Sequence, residues 1–218
     1  KKVLVHEFGA SAASFDIASS LDIVATIDRH VPKEGAKGPT VGQYLLLAAL
    51  NRCVAPRSKT AFADWYAHSV LRRLLPMSGA QLSSQRFWDN MDRVDEEQIV
   101  AIERDLAATA VSRYALSLEL LLFDATNFFT FVDSFNSRNK LAQRGHSKEG
   151  RDNLRIVGLA LLVTADGEVP LFHHTYAGNQ HDATTFGSVS QELADRCRIL
   201  GKRCAISPWC LTKGTIPK

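Results

Sequence analysis

Apolar residues recur at helical spacing through the first half of the chain. Residues 12–30 are predicted to be helical, because their apolar positions lie about three to four residues apart. Proline and glycine in residues 31–39 predict a loop. Thr40 stands directly before the next apolar run and is therefore predicted to cap a helix that extends to residue 55.

Further helices are predicted before the middle of the chain. Ser58 stands before residues 59–75, whose apolar pattern predicts one continuous helix, and residues 83–94 predict a short one. Asp95 and Gln98 have the spacing of a capping box, which predicts the start of a long helix.

The long helix is predicted to end near residue 116, so residues 1–116 are expected to form one helical N-terminal region. Aromatic side chains bury large areas and dominate the cores of helical units. The core of this region is therefore expected to contain Phe62, Trp65, Phe87 and Trp88.

The pattern changes at residues 118–131, whose sequence is LELLLFDATNFFTF. This run contains no glycine or proline and predicts a β-strand. It places Asp124 at the end of an apolar segment, where a lone charge is costly unless a positive group meets it. Three aromatic residues that follow are predicted to be core rather than a surface for stacking bases: Phe128, Phe129 and Phe131.

A basic stretch covers residues 138–155, with six lysines and arginines against the acids Glu149 and Asp152. Such a stretch either binds phosphate groups or forms a solvated loop between strands. The six basic residues are Arg138, Lys140, Arg144, Lys148, Arg151 and Arg155.

Two apolar runs follow in residues 156–179, and residues 165–168 between them have the composition of a hairpin turn. His173 and His174 are adjacent on the second run, so they are predicted to point to opposite faces and to be structural. Residues 182–201 predict an amphipathic helix. The order strand, polar connection, hairpin and helix predicts a mixed sheet with helices packed on it, an α+β or α/β fold.

Composition narrows the class of protein. The chain has 218 residues, 45% of them hydrophobic and 22% charged, which excludes bulk disorder. A net charge of +3 is compatible with a nucleic-acid partner. The four cysteines form no CxxC pair, and no apolar run approaches the length of a membrane helix, so free thiols in a reducing cytoplasm are predicted. The chain does not begin with methionine, so a piece of a longer protein is one reading.

Two motifs carry a family resemblance. The sequence FDATNFFTF at residues 123–131, followed by RGHSKEGRDNLRIVGLALLVTADGEVPLFHHTYAGNQHDATTF at residues 144–186, resembles the DDE transposases of bacterial insertion sequences. The branch in question reads D-x-T-N on its first catalytic strand and G-H-S-K-E-G-R after it. The first half is similar as well, through ATIDRHVP, LNRCVAPRSK and QRFWDNMD, so the resemblance covers most of residues 10–201.

The resemblance implies an RNase H-like catalytic core beginning with residues 117–203. In that family three carboxylates hold two divalent metal ions, Mg²⁺ or Mn²⁺, and Asp124 occupies the position of the first, as a catalytic residue and metal ligand. The implied activity is metal-dependent hydrolysis of DNA at the element ends and strand transfer to target DNA. Thr126 and Asn127 either hydrogen-bond this carboxylate or shape the exit of the strand.

The implied partner is DNA, both the insertion-sequence ends and the target. Arg144, Lys148 and Arg151 are the expected phosphate contacts, and His146 is either a phosphate donor or an ordinary loop residue. Residues 1–116 would serve DNA-end binding or dimerisation, so a homodimer is one expectation. The location implied is the nucleoid of a bacterial cytoplasm, with no membrane partner.

Residues 204–218 depart from the family pattern. The second catalytic Asp should follow a buried strand in an Asp-x-Gly motif, but Pro208 interrupts the run, and no Asp or Glu occurs after Asp195. The codons allowed for residues 205–218 can also be read in the frame that starts at the third base of each triplet. Permitted codon choices then encode D-L-T-L-V-F-D-K-G-N-N-S-K, an apolar run followed by Asp-x-Gly. We therefore expect a frameshifted tail and a truncated, catalytically incomplete chain. The alternatives are a non-catalytic DNA-binding or inhibitory module derived from a transposase, and a metal-dependent nuclease.

Overall fold

The computed structural model describes residues 7–35, 38–132, 138–145, 153–180, 198 and 205–207. The chain divides into two compact units, Lys1–Thr109 and Ala110–Lys218. Described helices fill the first unit and the described strands lie in the second, so the fold is mixed α+β with a helical N-terminal half, as predicted.

The helices follow the capping and apolar signals closely in most places. Between α2 and α3 the described residues form no helix or strand, in agreement with the predicted loop. The last helix crosses the boundary between the two units. In chain order the helices are α1 Gly9–Ser20, α2 Ile23–His30, α3 Val41–Val54, α4 Phe62–Ala67, α5 Leu71–Leu74, α6 Ser84–Met91 and α7 Glu96–Arg113, with a 3₁₀ turn at Gly79–Leu82.

The predicted N-cap at Thr40 and the predicted capping box of Asp95 and Gln98 are both confirmed, and Thr40 also forms a box with Gln43. The Thr40 hydroxyl accepts a hydrogen bond from the Gln43 N–H at 3.2 Å, and the Gln43 side chain accepts one from the Thr40 N–H at 2.9 Å. Asp95 and Gln98 make the same pair of bonds at 2.8 and 3.0 Å. Each box satisfies backbone donors that have no partner inside the helix, which fixes where α3 and α7 begin.

The single helix predicted over residues 12–30 is wrong, because the chain forms α1 and α2 with a break at Asp22. This residue has φ 52° and ψ 35°, the left-handed conformation. Aspartate adopts that conformation more readily than most residues. The break therefore costs little and redirects the chain.

The single helix predicted over residues 59–75 is also wrong. Ser58 caps no helix there, since its hydroxyl pairs with the Thr60 hydroxyl at 2.8 Å. The helix is interrupted at residues 68–70, where the Glu7 N–H donates to the His68 carbonyl and the Val70 N–H donates to the Glu7 carbonyl, both at 2.8 Å. These bonds to a distant segment replace the ones that would have joined α4 to α5.

The core of the first unit confirms two of its four predicted aromatic residues. Phe62 and Phe87 are buried with ring centroids 4.5 Å apart, and Trp65 packs edge-on against Phe62 while half-buried. Trp88 is not core, since 50% of it is exposed. Consecutive helical residues point about 100° apart, so burying Phe87 turns Trp88 outward.

The second unit contains one sheet in its described part. The strand predicted over residues 118–131 and the hairpin turn at residues 165–168 are confirmed. The strand order is β3-β2-β1-β4; β2 pairs antiparallel with β1 and with β3, and β4 pairs parallel with β1. The strands are β1 Leu120–Thr130, β2 Arg155–Thr164, β3 Pro170–Ala177 and β4 Ala205–Ser207.

One face of this sheet is buried. Alternate residues of β1 and β2 lie on it, and Gly158 lets the Tyr176 ring pack on the strand, since a Cβ at Gly158 would lie 2.2 Å from that ring. The core assignment of the three phenylalanines is wrong for two of them. Phe128 is 54% exposed because it lies on the other face, and Phe131 is 90% exposed because it follows the end of the strand; Phe129 is half-buried.

The helix predicted over residues 182–201 falls outside the described residues except for Arg198, and so does the tail except for β4. Within the described chain no single helix has the length and apolar character to cross a membrane. The bent pair α1 and α2, at 53°, meets the length and composition requirement only when the two are taken together.

Candidate functional site

Asp124 ends an apolar run, as predicted, but the strand continues beyond it, so Asp124 lies near the middle of β1. It is the fifth residue of the strand and is exposed, while Phe123 and Ala125 on either side are buried. Its carboxylate makes no hydrogen bond or ion pair with another residue in the described part of the chain. The strand therefore presents a charge to solvent, so the burial penalty expected from the sequence does not arise.

Thr126 is exposed on the same face as Asp124, because side chains two residues apart on a strand share a face. Asn127 is half-buried and lies on the opposite face. Of the two residues considered as partners of the carboxylate, Thr126 is thus the one placed beside it.

The register of the sheet adds a histidine to this face. Leu161 of β2 pairs with Asp124 on one side and with His173 of β3 on the other. Two strand spacings separate Asp124 from His173, which is about 10 Å between backbones. His174 lies on the other face, where its ring stacks with that of Tyr176 at 6.4 Å. The sequence predicted only a structural role for His173, because the pairing partners of β2 cannot be read from it.

The exposed face around Asp124 is largely apolar, and we call it the outer sheet face. It presents a single carboxylate among branched and aromatic side chains, and its β2 members are half-buried. Its residues are Leu122, Asp124, Thr126 and Phe128 of β1, Val157, Leu159, Leu161 and Val163 of β2, and His173 and Thr175 of β3.

Arg144 is exposed at the edge of the sheet. The preceding Gln143 pairs with Ile156, with hydrogen bonds of 3.0 and 2.8 Å in the two directions. Gly145 packs directly on the backbone of Gly178, where a Cβ would lie 1.8 Å from the carbonyl oxygen. The first part of the basic stretch is therefore fixed against β2 and the end of β3.

The structure does not bring Arg144 next to Asp124. Gln143, next to Arg144, pairs with Ile156 of β2, whereas Asp124 pairs with Leu161 of the same strand. These two positions on β2 are five residues apart, or roughly 17 Å, because a strand rises about 3.3 Å per residue. The other predicted contacts, His146, Lys148 and Arg151, lie outside the described residues.

The described residues do not complete a metal site. Within them no three His, Cys, Asp or Glu side chains form a group that could hold an ion. Asp124 is a single carboxylate, whereas Mg²⁺ in a two-ion site needs several carboxylates in a fixed arrangement.

Comparison with known proteins adds no family assignment, since no protein-family model matches the chain and no curated protein matches it.

Proposed function

We propose that this chain belongs to a DDE transposase of the insertion-sequence type, which hydrolyses DNA and transfers strands with the help of metal ions, and that Asp124 is the first carboxylate of its catalytic site. The observation that carries the proposal is the place of Asp124, exposed at the middle of the first strand of the sheet. The DATN and RGHSKEGR motifs support it through the resemblance described above.

The arrangement of the strands supports an RNase H-like core. β1 lies between antiparallel β2 and parallel β4, and β4 comes from a segment well after the hairpin. In the family, the second catalytic Asp is expected on a later strand, and β4 is a strand of this kind. Neighbouring strands lie about 4.8 Å apart, so a carboxylate on such a strand could contact an ion bound by Asp124.

In the whole protein, Asp124 and two further carboxylates would hold Mg²⁺ or Mn²⁺, which activates an attacking oxygen and stabilises the leaving one during DNA hydrolysis and strand transfer. The described residues provide one of these ligands, and the sequence contains no Asp or Glu after Asp195. We therefore expect residues 1–218 to bind DNA without cleaving it, with Arg144, Lys148, Arg151 and His146 as phosphate contacts.

Fluorescence anisotropy of a labelled DNA duplex with the full chain between 50 and 200 mM salt tests this. We expect the logarithm of affinity to fall linearly with the logarithm of salt concentration. Arg144→Gln should make this slope shallower by about 0.9, the value for one phosphate contact. Arg113→Gln is the matched control, because Arg113 is also exposed but lies outside the basic stretch. Absence of DNA binding, or equal effects of both substitutions, would contradict the proposal.

A second candidate is a non-catalytic DNA-binding or inhibitory module derived from such a transposase. The exposure of Phe128 favours it, because exposed aromatic rings on a sheet stack on unpaired bases. Phe128→Ser should then weaken binding to single-stranded DNA about tenfold, as expected for the loss of one stacked base, and leave duplex binding unchanged. Equal loss for both DNAs would argue against this second function.

A further inference from the structure

The positive charge of the first unit is concentrated in residues 52–88. This segment has six lysines and arginines against Asp64 alone, a net charge of +5 in a chain whose total is +3. Five of the six are exposed and Lys59 is half-buried, and none forms an ion pair with another residue that the structure describes. The six residues are Arg52, Arg57, Lys59, Arg72, Arg73 and Arg86.

Within this segment, Pro56–Thr60 forms a loop, PRSKT, whose entry is fixed by a buried amide. Asn51 is 2% exposed. Its Nδ2 donates to the Ala55 carbonyl at 2.9 Å, and its Oδ1 accepts from the Arg57 N–H at 3.1 Å. The two bonds hold the backbone that bears Arg57 in one conformation, so little ordering entropy remains to oppose binding at this loop.

Trp88 of α6 lies against the loop. The Lys59 Nζ stands 4.7 Å from the centroid of the Trp88 ring, and half of the tryptophan is exposed. The neighbouring Phe87 is buried in the core and fixes the helix that bears Trp88. The Trp88 ring and the Lys59 ammonium therefore lie together at the surface, on a loop that also carries the exposed Arg57 and the paired hydroxyls of Ser58 and Thr60.

We propose that the PRSKT loop and Trp88 form a DNA-backbone contact surface in the first unit, separate from the basic stretch of the second unit. Arginine, lysine and hydroxyl groups are the usual donors to phosphate oxygens, and the tryptophan ring fits against a sugar or an exposed base. The choice of DNA as the partner rests on the proposed function. The contact surface itself rests on the charge, the fixed loop and the exposed ring.

The test compares two double variants of the full chain that each remove two positive charges. Arg57→Gln with Lys59→Gln alters the loop, whereas Arg29→Gln with Arg113→Gln alters two exposed cations outside the segment. For the loop variant we expect the salt slope of duplex affinity to fall by about 1.8, and the affinity at 0.1 M salt to fall on the order of 50-fold. The control variant should keep the slope of the unaltered chain.

A second readout comes from tryptophan fluorescence. DNA binding should quench the emission of the unaltered chain, and Trp88→Phe should remove most of that quenching while Trp65 and Trp209 remain. Quenching that persists in Trp88→Phe would overturn the proposal. So would equal binding of the unaltered chain to polyglutamate, since an acidic polypeptide offers charge without phosphate.

The outcomes separate this proposal from the proposed function. If the unaltered chain binds duplex and Arg144→Gln lowers the slope, but the loop variant behaves like its control, the loop contact is wrong and the proposed function stands. If the unaltered chain fails to bind any DNA, the proposed function is wrong, and the loop contact is lost with it.

Discussion

At the scale of single residues, Asp124 is an amino acid that β-strands disfavour. Aspartate is depleted in strands, and the range of strand preference is about 1 kcal/mol. Asp124 nevertheless stands exposed in mid-strand opposite Leu161. Functional residues are expected at positions of this kind, where the local preference is broken without a compensating contact, and this supports the role proposed for Asp124.

Replacing Asp124 should therefore stabilise the chain. Asp124→Thr is expected to raise the free energy of unfolding by about 0.5–1 kcal/mol, because threonine suits an exposed strand position and aspartate does not. Thr126→Asp, two residues along the same face, is the reciprocal control and should lower it by a similar amount. Urea unfolding followed by circular dichroism measures both, and a loss of stability in Asp124→Thr would mean that the carboxylate holds the fold together.

Residue types predicted the candidate site only in part. The D-x-T-N motif identified Asp124 directly, but His173 joined its face only through the register of β1, β2 and β3. Trp88 and Phe128 were assigned to the core because they are aromatic, and both are exposed. Hydrophobic character does not by itself give burial, because neighbours in space decide which side of a helix or strand is covered.

At the scale of elements, the joint between the basic stretch and the sheet depends on two glycines. A Cβ on Gly145 would lie 1.8 Å from the Gly178 carbonyl oxygen, which is backbone and cannot rotate away. The stretch can therefore dock on the sheet only while Gly145 has no side chain.

Gly145→Ala should weaken this joint by about 1–3 kcal/mol, the usual cost of forcing an extra methyl group into a packed site. Amide hydrogen exchange of Gln143 and Ile156, which pair with each other, should become faster. Gly79→Ala is the control, because nothing lies within 4 Å of a Cβ there. Unchanged exchange in Gly145→Ala would show that the contact is not as close as described.

The end of α2 is held to α7 by a charged contact. His30 Nε2 lies 2.8 Å from Asp105 Oδ2, and Arg29 and Arg104 each approach the same carboxylate to 3.3 Å. The hydrogen bond from His30 is the main cause that holds the pKa of Asp105 below its usual value, and Arg104 adds to it against the opposing effect of burial.

Because this pKa is lower in the folded state, the contribution of Asp105 to stability is present above the unfolded value of about 3.9 and is lost as pH falls through the folded value. Urea unfolding at pH 6, 4 and 3 should show a larger loss of stability in the unaltered chain than in Asp105→Asn. Asp16→Asn, an exposed aspartate on α1, should follow the unaltered chain. Identical pH dependence in all three chains would mean that the contact does not favour the charged form of Asp105.

Element boundaries were predictable where the signal is local. Thr40 with Gln43 and Asp95 with Gln98 encode a helix start within four residues, and both starts are confirmed. The division of α4 from α5 was not predictable, because it depends on backbone bonds to Glu7, about sixty residues earlier in the chain. The local sequence pattern does not reveal a hydrogen-bond partner that lies far away along the chain.

At the scale of the whole molecule, the change from helices to a sheet was visible in the hydrophobic periodicity, and the mixed class of fold follows from it. The small net charge of +3 conceals a concentration of positive charge in residues 52–88 of the first unit and another in residues 138–155 of the second. If DNA is the partner, each unit offers its own cations to the phosphate backbone.

We propose that the exposed carboxylate of Asp124 is a metal-binding position on the outer sheet face. Titrating Mn²⁺ into the ¹⁵N-labelled chain with a short DNA duplex tests it most directly, because the ion broadens the amide signals nearest to it. We expect the amide signals of Ala125, Thr126 and Leu161 to broaden first. In Asp124→Asn these three signals should no longer broaden before the others. Broadening centred on other carboxylates, or unchanged in Asp124→Asn, would contradict the claim.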